Sequence, residues 1–277
     1  MAIVDNHVHI YPDKIAQKAT ESVGQFYLVP MEGLDGSVDR LRAMRDASPV
    51  THSVVCSVAV KPTTVTSIND FIASTCAADD TLVGLAAMHQ DFEDMAGELD
   101  RAMALGLRGV KLHPDTQRVD MDDPRLMHLY ELCEQRGLAL LIHCGDYRYD
   151  FSHPSRTKRI LHEFPRLRVC AAHFGGWSVQ DLALEYMEDE SCFLDVSSSM
   201  RYLGQRRTRE LCEIYGPDRI MFGSDFPMWS PGEEYAKFRA LGFSEADYER
   251  MCWHRRSPSH MMVTVERVAT ISTVLLT

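Results

Sequence analysis

The chain lacks several features that would each fix its class at once. No run approaches the roughly 18 to 20 consecutive apolar residues that a bilayer-spanning helix needs. The opening Met-Ala-Ile-Val-Asp-Asn-His has neither a basic stretch nor a long apolar core, so no signal peptide is expected. Basic residues are in deficit, with 29 Lys and Arg against 40 Asp and Glu and a formal net charge of −11. That balance argues against nucleic-acid and anionic-membrane partners, both of which attract a basic surface. None of the eight cysteines, at 56, 76, 133, 144, 170, 192, 212 and 252, forms a CxxC pair, and several sit in apolar runs. The expectation is buried, reduced thiols in a cytoplasmic protein and no disulfide framework. Internal repeats, low-complexity blocks and linkers are also missing.

What is present is a soluble globular balance of 45% hydrophobic and 25% charged residues over 277 positions, a comfortable length for a single barrel domain. Short apolar runs alternate with amphipathic stretches. The expected strands are Ala2–Ile10, Ser53–Val60, Leu82–Met88, Leu107–His113, Ala139–His143, Arg168–His173, Cys192–Val196 and Arg219–Asp225. Between them, Ser37–Ala47, Asp91–Leu105, Asp123–Arg136, Pro154–Phe164 and Ser178–Glu188 read as helices, and Gly106, Gly109 and Gly137 stand where C-cap turns would fall. Eight alternating units predict an α/β fold, a single-domain (β/α)8 TIM barrel with a parallel sheet. An open doubly wound sheet would normally carry a Gly-rich phosphate loop after its first strand, and that place holds His-Val-His. The longest irregular stretch, Tyr11–Gly36, has the size of a lid over a site, and Lys14–Ser22 within it has helical character.

The first strand ends Asp5-Asn6-His7-Val8-His9. Side chains two apart on a regular strand share a face, so Asp5, His7 and His9 are expected on one side, with the imidazoles placed to grip one ion. Other strand ends are also polar: Lys111 and His113 on the fourth, His143 on the fifth, His173 on the sixth, Asp225 on the eighth. C-terminal strand ends meet at one rim, where barrel enzymes perform their chemistry. Five imidazoles, a lysine and an aspartate gathered there would be costly to bury without a shared partner.

These pieces resemble the amidohydrolase superfamily, in particular the amidohydrolase-2 branch that includes aminocarboxymuconate-semialdehyde decarboxylase and related lactonases. The likeness is carried by His7-Val8-His9, Gly109-Val110-Lys111-Leu112-His113-Pro114, Ile142-His143, Ala172-His173-Phe174-Gly175-Gly176 and Phe222-Gly223-Ser224-Asp225-Phe226-Pro227. The resemblance implies a divalent transition metal held by His7, His9, His143 and Asp225, with Asp225 also the base and His173 beside the metal. Zinc is the first choice for such ligands, with manganese or iron also suited. It implies hydrolysis of a small ester, lactone or amide, with nonoxidative decarboxylation as the alternative and a noncatalytic metal-binding barrel as the reading from another class. Lys111 is open between a carboxylated lysine bridging two metals and, with a single metal, a structural or substrate-facing role shared with His113.

Arg148, Trp177 and Arg201 follow strand ends and are expected near the substrate, an arginine being suited to clamp a carboxylate. The expected partner is a small-molecule substrate, and a homo-oligomer is allowed. Beyond Trp253 the sequence departs from the branch. Residues 1–253 are assigned to the barrel and 254–277 to a divergent tail, in which Pro258 and a Val- and Thr-rich run replace the expected closing helix. A shifted reading frame near codon 253 would explain the abrupt change.

Overall fold

The structure, a computed structural model, describes residues 2–31 and 35–252. Expectations about the tail beyond residue 253 lie outside the described residues. Among those described, the strands are β1 (Val4–His9), β2 (His52–Cys56), β3 (Leu82–Gly84, continued by Ala86–Ala87), β4 (Gly109–Leu112), β5 (Ala139–Ile142), β6 (Val169–Ala171), β7 (Phe193–Asp195) and β8 (Ile220–Met221). Each pairs in parallel with the next, β3 being interrupted at Leu85, whose N–H donates to the Val55 carbonyl at 2.9 Å. The ring closes where Asn6 N donates to Phe222 O (2.9 Å), Asp225 N to His7 O (2.8 Å) and His9 N to Phe226 O (2.7 Å). The eight predicted strands are all present, mostly shorter than expected, because several chain segments leave the ladder at the rim.

Alternation divides each strand between two cores. Val4, Val54, Leu85, Ala139, Leu141, Cys170 and Met221 fill the barrel, while Val110, Leu112, Leu140, Ile142, Val169, Leu194 and Ile220 meet the surrounding helices. The helix Pro124–Arg136 shows how local sequence sets an element. The Asp123 carboxylate accepts from Arg125 N, Pro124 supplies the first turn, and Leu126, Met127, Leu129, Tyr130, Leu132 and Cys133 are buried. Gly137, at φ 64°, ends it in the left-handed conformation expected of a cap. Gly109 is different from the expected cap. It opens β4, where an added Cβ would lie 2.5 Å from the Ala139 carbonyl oxygen, so it serves strand–strand approach. All eight cysteines are free, and Cys76 alone is not buried. No helix among the described residues is long and apolar enough to cross a membrane.

Two departures from the expected pattern shape the rim. Within the stretch expected to be irregular, helix α1 (Asp13–Tyr27) forms and ends at the cavity. In β1 the register slips between Asp5 and Val8, so that Asp5 pairs with Ser53 but His9 with Cys56. The slip separates Asp5 from the histidine face, and its carboxylate instead accepts from Ser224 N (2.8 Å) and His7 N (3.3 Å). Burial pushes the Asp5 carboxyl up to about 7. At the β5 and β6 ends, Gly145 has φ 67°, and a Cβ there would stand 2.5 Å from Gly176 Cα. Gly145→Ala is expected to lower stability by about 2 kcal/mol, since both the left-handed backbone and the backbone contact oppose it. A fall of several degrees in the thermal midpoint checks this; an unchanged midpoint would show that the two loops separate freely.

Candidate active site

The C-terminal ends of the strands, together with α1, enclose a cavity of about 660 Å³. Its floor carries His7, His9, Lys111, His113, His143, His173 and Asp225. Its walls are largely apolar, with Ala19, Val23 and Phe26 from α1 facing Val58, Ile68 and Phe71.

On the floor, His7 Nε2 lies 3.2 Å from His9 Nε2, and each is 3.6 Å from Asp225 Oδ1. Donor atoms on a tetrahedron of about 2.1 Å bonds stand about 3.4 Å apart, so this spacing fits one small divalent cation. The chemistry of the donors fits as well. His7 Nδ1 is 3.0 Å from Asp195 Oδ2, which places the proton on Nδ1 and leaves the Nε2 lone pair directed at the shared point. Burial drives the His9 imidazole well below its usual range, which favours its neutral, ligating form. Burial opposes ionisation of Asp195, but the facing His7 ring and hydrogen bonds from His7 and Ser197 hold its carboxyl below the usual range. Its Oδ1 accepts from His173 N (3.1 Å) and Ser197 N (3.0 Å), tying β7 to the histidine cluster. Asp195→Asn is expected to weaken metal affinity about 10- to 100-fold by freeing the His7 tautomer. Competition with a chromogenic chelator measures it, and an unchanged affinity would remove Asp195 from the supporting shell.

Asp225 is held in a strained backbone, φ 62°, as is Ser198, φ 53°. Ser198 Oγ donates to Asp225 Oδ2 at 2.5 Å and accepts from Trp229 Nε1 at 2.9 Å. One carboxylate oxygen is therefore anchored and the other is free to face the histidines. Lys111 Nζ, buried, lies 2.8 Å from His7 Nε2 and donates to the lone pair a cation would take. Cation entry thus requires that Lys111 withdraw from that lone pair.

His143 stands apart from the His7, His9 and Asp225 group. Its ring stacks on His113 at 3.9 Å between centroids, its Nδ1 is 3.1 Å from His173 Nε2, and its Nε2 is 3.5 Å from Asp115 Oδ2. His173 Nδ1 faces the Ser197 carbonyl at 3.0 Å and so carries the proton, which makes His143 Nδ1 the donor between the two rings. His143 Nε2 and Asp115 Oδ1 are consequently buried without a hydrogen-bond partner among the described residues. Burial pushes the Asp115 carboxyl up to about 6 and drives His113 and His143 well below their usual range.

The expected substrate residues separate into two sets. Lys111 and His113 line the cavity. Arg148 is consumed elsewhere, its fork gripping Asp146 (Nε to Oδ1 2.9 Å, Nη2 to Oδ2 2.5 Å) and the Phe26 carbonyl at the end of α1. Trp177 packs against Tyr27 at 4.6 Å, and the Arg201 guanidinium lies 4.5 Å over Trp229. Several residues of the site were not singled out from the sequence: Asp195, Asp115, Ser198 and Tyr27, whose hydroxyl lies 2.7 Å from His113 Nε2. Asp195 closes a strand and was findable by that position. Tyr27 carried no signal, since its stretch read as irregular.

The family model described as Amidohydrolase matches residues 4–254. Among solved structures, the chain is similar to an uncharacterised TIM-barrel protein from Bordetella bronchiseptica, at 19% identity and TM-score 0.72, covering 91% of this chain and 96% of that one. It is also similar to a dihydroxybenzoic acid decarboxylase from Polaromonas with bound manganese and the inhibitor 2-nitroresorcinol, at 15% identity and TM-score 0.68 over 91% and 94%. A probable 2-pyrone-4,6-dicarboxylic acid hydrolase from Acinetobacter baumannii, with citric acid bound, matches at 15% identity and TM-score 0.67 over 91% and 97%. At these identities the likeness establishes the barrel fold.

Proposed function

This chain belongs to the amidohydrolase family, and from that premise we propose that it is a metal-dependent hydrolase of a small ester, lactone or amide. The observation that carries the reading is the convergence of His7 Nε2, His9 Nε2 and Asp225 Oδ1, within 3.6 Å of one another, on the floor of an apolar-walled cavity. These three would hold the cation; His143, the fourth donor that the resemblance implies, would have to turn from His173 and Asp115 to join them. Zinc suits the donor set, and the manganese in the Polaromonas decarboxylase keeps manganese in contention.

A cation bound there supplies a Lewis acid that acidifies water and polarises a carbonyl. The residues do the rest. Asp225 Oδ1, with its partner oxygen anchored by Ser198, accepts a proton from the attacking water and returns it to the leaving group. His173, fixed by the Ser197 carbonyl, would orient the reacting oxygen through its Nε2 once His143 Nδ1 releases it. The apolar walls and α1 exclude bulk water, which strengthens each of these contacts.

Nonoxidative decarboxylation is the second reading, favoured by the decarboxylases among the similar structures. Incubating the metal-loaded protein with carboxylated lactones and with hydroxybenzoates in 18O-water separates the two. Hydrolysis places 18O in the product carboxylate with no gas released; carbon dioxide release without 18O uptake in the residual product would replace the hydrolytic reading by the decarboxylative one.

A further inference from the structure

We propose that Arg118 reads an anionic group on the substrate at the cavity mouth, remote from the reacting end. Within the cavity lining, the exposed residues mark the mouth and the buried ones the floor. Ile15, Val60, Arg118 and Tyr149 are exposed, whereas His7, Lys111 and His143 are buried. Arg118 is the guanidinium of that lining, and among the described residues it has no ion pair or side-chain hydrogen bond.

Like Arg40, Arg108 and Arg206, Arg118 has no side-chain partner among the described residues, but of these it alone lines the cavity. The acidic residues that follow it in the chain all engage other arginines: Asp120 and Asp122 pair with Arg156, Asp122 with Arg159, and Asp123 with Arg125. Arg148, the other arginine near this rim, is held by Asp146. The backbone gives a second, independent sign. Arg118 ends the short helix Pro114–Gln117 with φ 55° and ψ 52°, a left-handed conformation that glycine or asparagine adopts at least cost. Keeping an arginine there costs about 1 kcal/mol in strain, and such strain concentrates where a side chain is aimed for function. In a chain of net charge −11, an anion approaching the mouth meets an unfavourable field, which a local guanidinium offsets.

The ligand this describes is amphiphilic. A planar anion, a carboxylate above all, takes the two-pronged face of Arg118 at the mouth. An apolar or aromatic body then lies against Val23, Phe26, Val58, Ile68 and Phe71, and the reacting group reaches the floor. This assignment rests on the proposed metal-dependent reading only for which end reacts; the recognition of the anion stands on Arg118 itself.

The test measures equilibrium binding by calorimetry, using benzoate, phenylacetate, 3-phenylpropionate and 4-phenylbutyrate, each against its neutral amide. The full-length wild-type protein, Arg118→Gln and Arg118→Lys are compared, with metal content determined for every sample. The expected result is that wild type binds at least one carboxylate ten- to hundredfold more tightly than its amide. Arg118→Gln should abolish that preference while leaving amide affinity and metal content unchanged, and Arg118→Lys should keep part of it. A preference that survives in Arg118→Gln would place the carboxylate on the floor and overturn the proposal. So would the absence of any carboxylate preference in the wild-type chain, undetectable binding included. Loss of the metal-dependent reading would appear separately, as wild-type protein without metal.

Discussion

Asp225→Asn is expected to lower kcat by about 10²- to 10⁴-fold, the range associated with loss of a positioned proton acceptor. The substitution keeps the shape of the side chain. Ser198 Oγ, which now donates to Asp225 Oδ2, can instead accept from the new amide, leaving the amide oxygen toward His7 and His9. What disappears is the capacity to take a proton at that oxygen. The loss should therefore fall on kcat with smaller change in KM, and metal content should be partly retained. Single-turnover kinetics with matched metal occupancy check it. Near-normal turnover in the variant would mean that another group, with His173 the first to examine, accepts the proton.

His7→Ala is expected to strip the protein of its metal. The Nε2 of His7 lies 3.2 Å from His9 Nε2, 3.6 Å from Asp225 Oδ1 and 2.8 Å from Lys111 Nζ. Removing it breaks the pair of imidazoles that converges with Asp225, which weakens the hold on a divalent ion against chelation, and leaves Asp195 with one buried partner fewer. Elemental analysis after dialysis against a weak chelator should find less than about a tenth of wild-type occupancy. Full occupancy would exclude His7 as a ligand and move attention to the group of His113, Asp115 and His143.

The parts of this site that were legible in the sequence share one property: their chemistry depends on position along a strand. His7, His9, His143, His173 and Asp225 each stand near or just past the C-terminal end of a barrel strand, and closure of the parallel ring brings strand ends together whatever the loops do. The illegible parts depend on pairings between distant segments. Arg118, Arg148 and Arg201 all follow strand ends, and nothing in their spacing says which is free. That depends on Asp146 engaging Arg148, and on Asp120, Asp122 and Asp123 being taken by other arginines. The slip in β1 that removes Asp5 from the histidine face is a single-residue change in register, set by the neighbouring strand and not by the alternation of Asp5, His7 and His9. Helix α1 was only partly legible, as Lys14–Ser22, because its buried residues, Ala16, Thr20 and Gly24, are small or polar, and the role of its Ile15, Ala19, Val23 and Phe26 face depends on the cavity that it lines.

The central claim is that one cation sits where His7, His9 and Asp225 converge. Anomalous diffraction recorded on either side of the metal's absorption edge, from crystals grown with zinc or manganese, tests it directly. The account predicts a single peak at about 2.0–2.2 Å from His7 Nε2, His9 Nε2 and Asp225 Oδ1. A peak confined to His113, Asp115 and His143, or metal-saturated crystals with none beside His7 and His9, would contradict it.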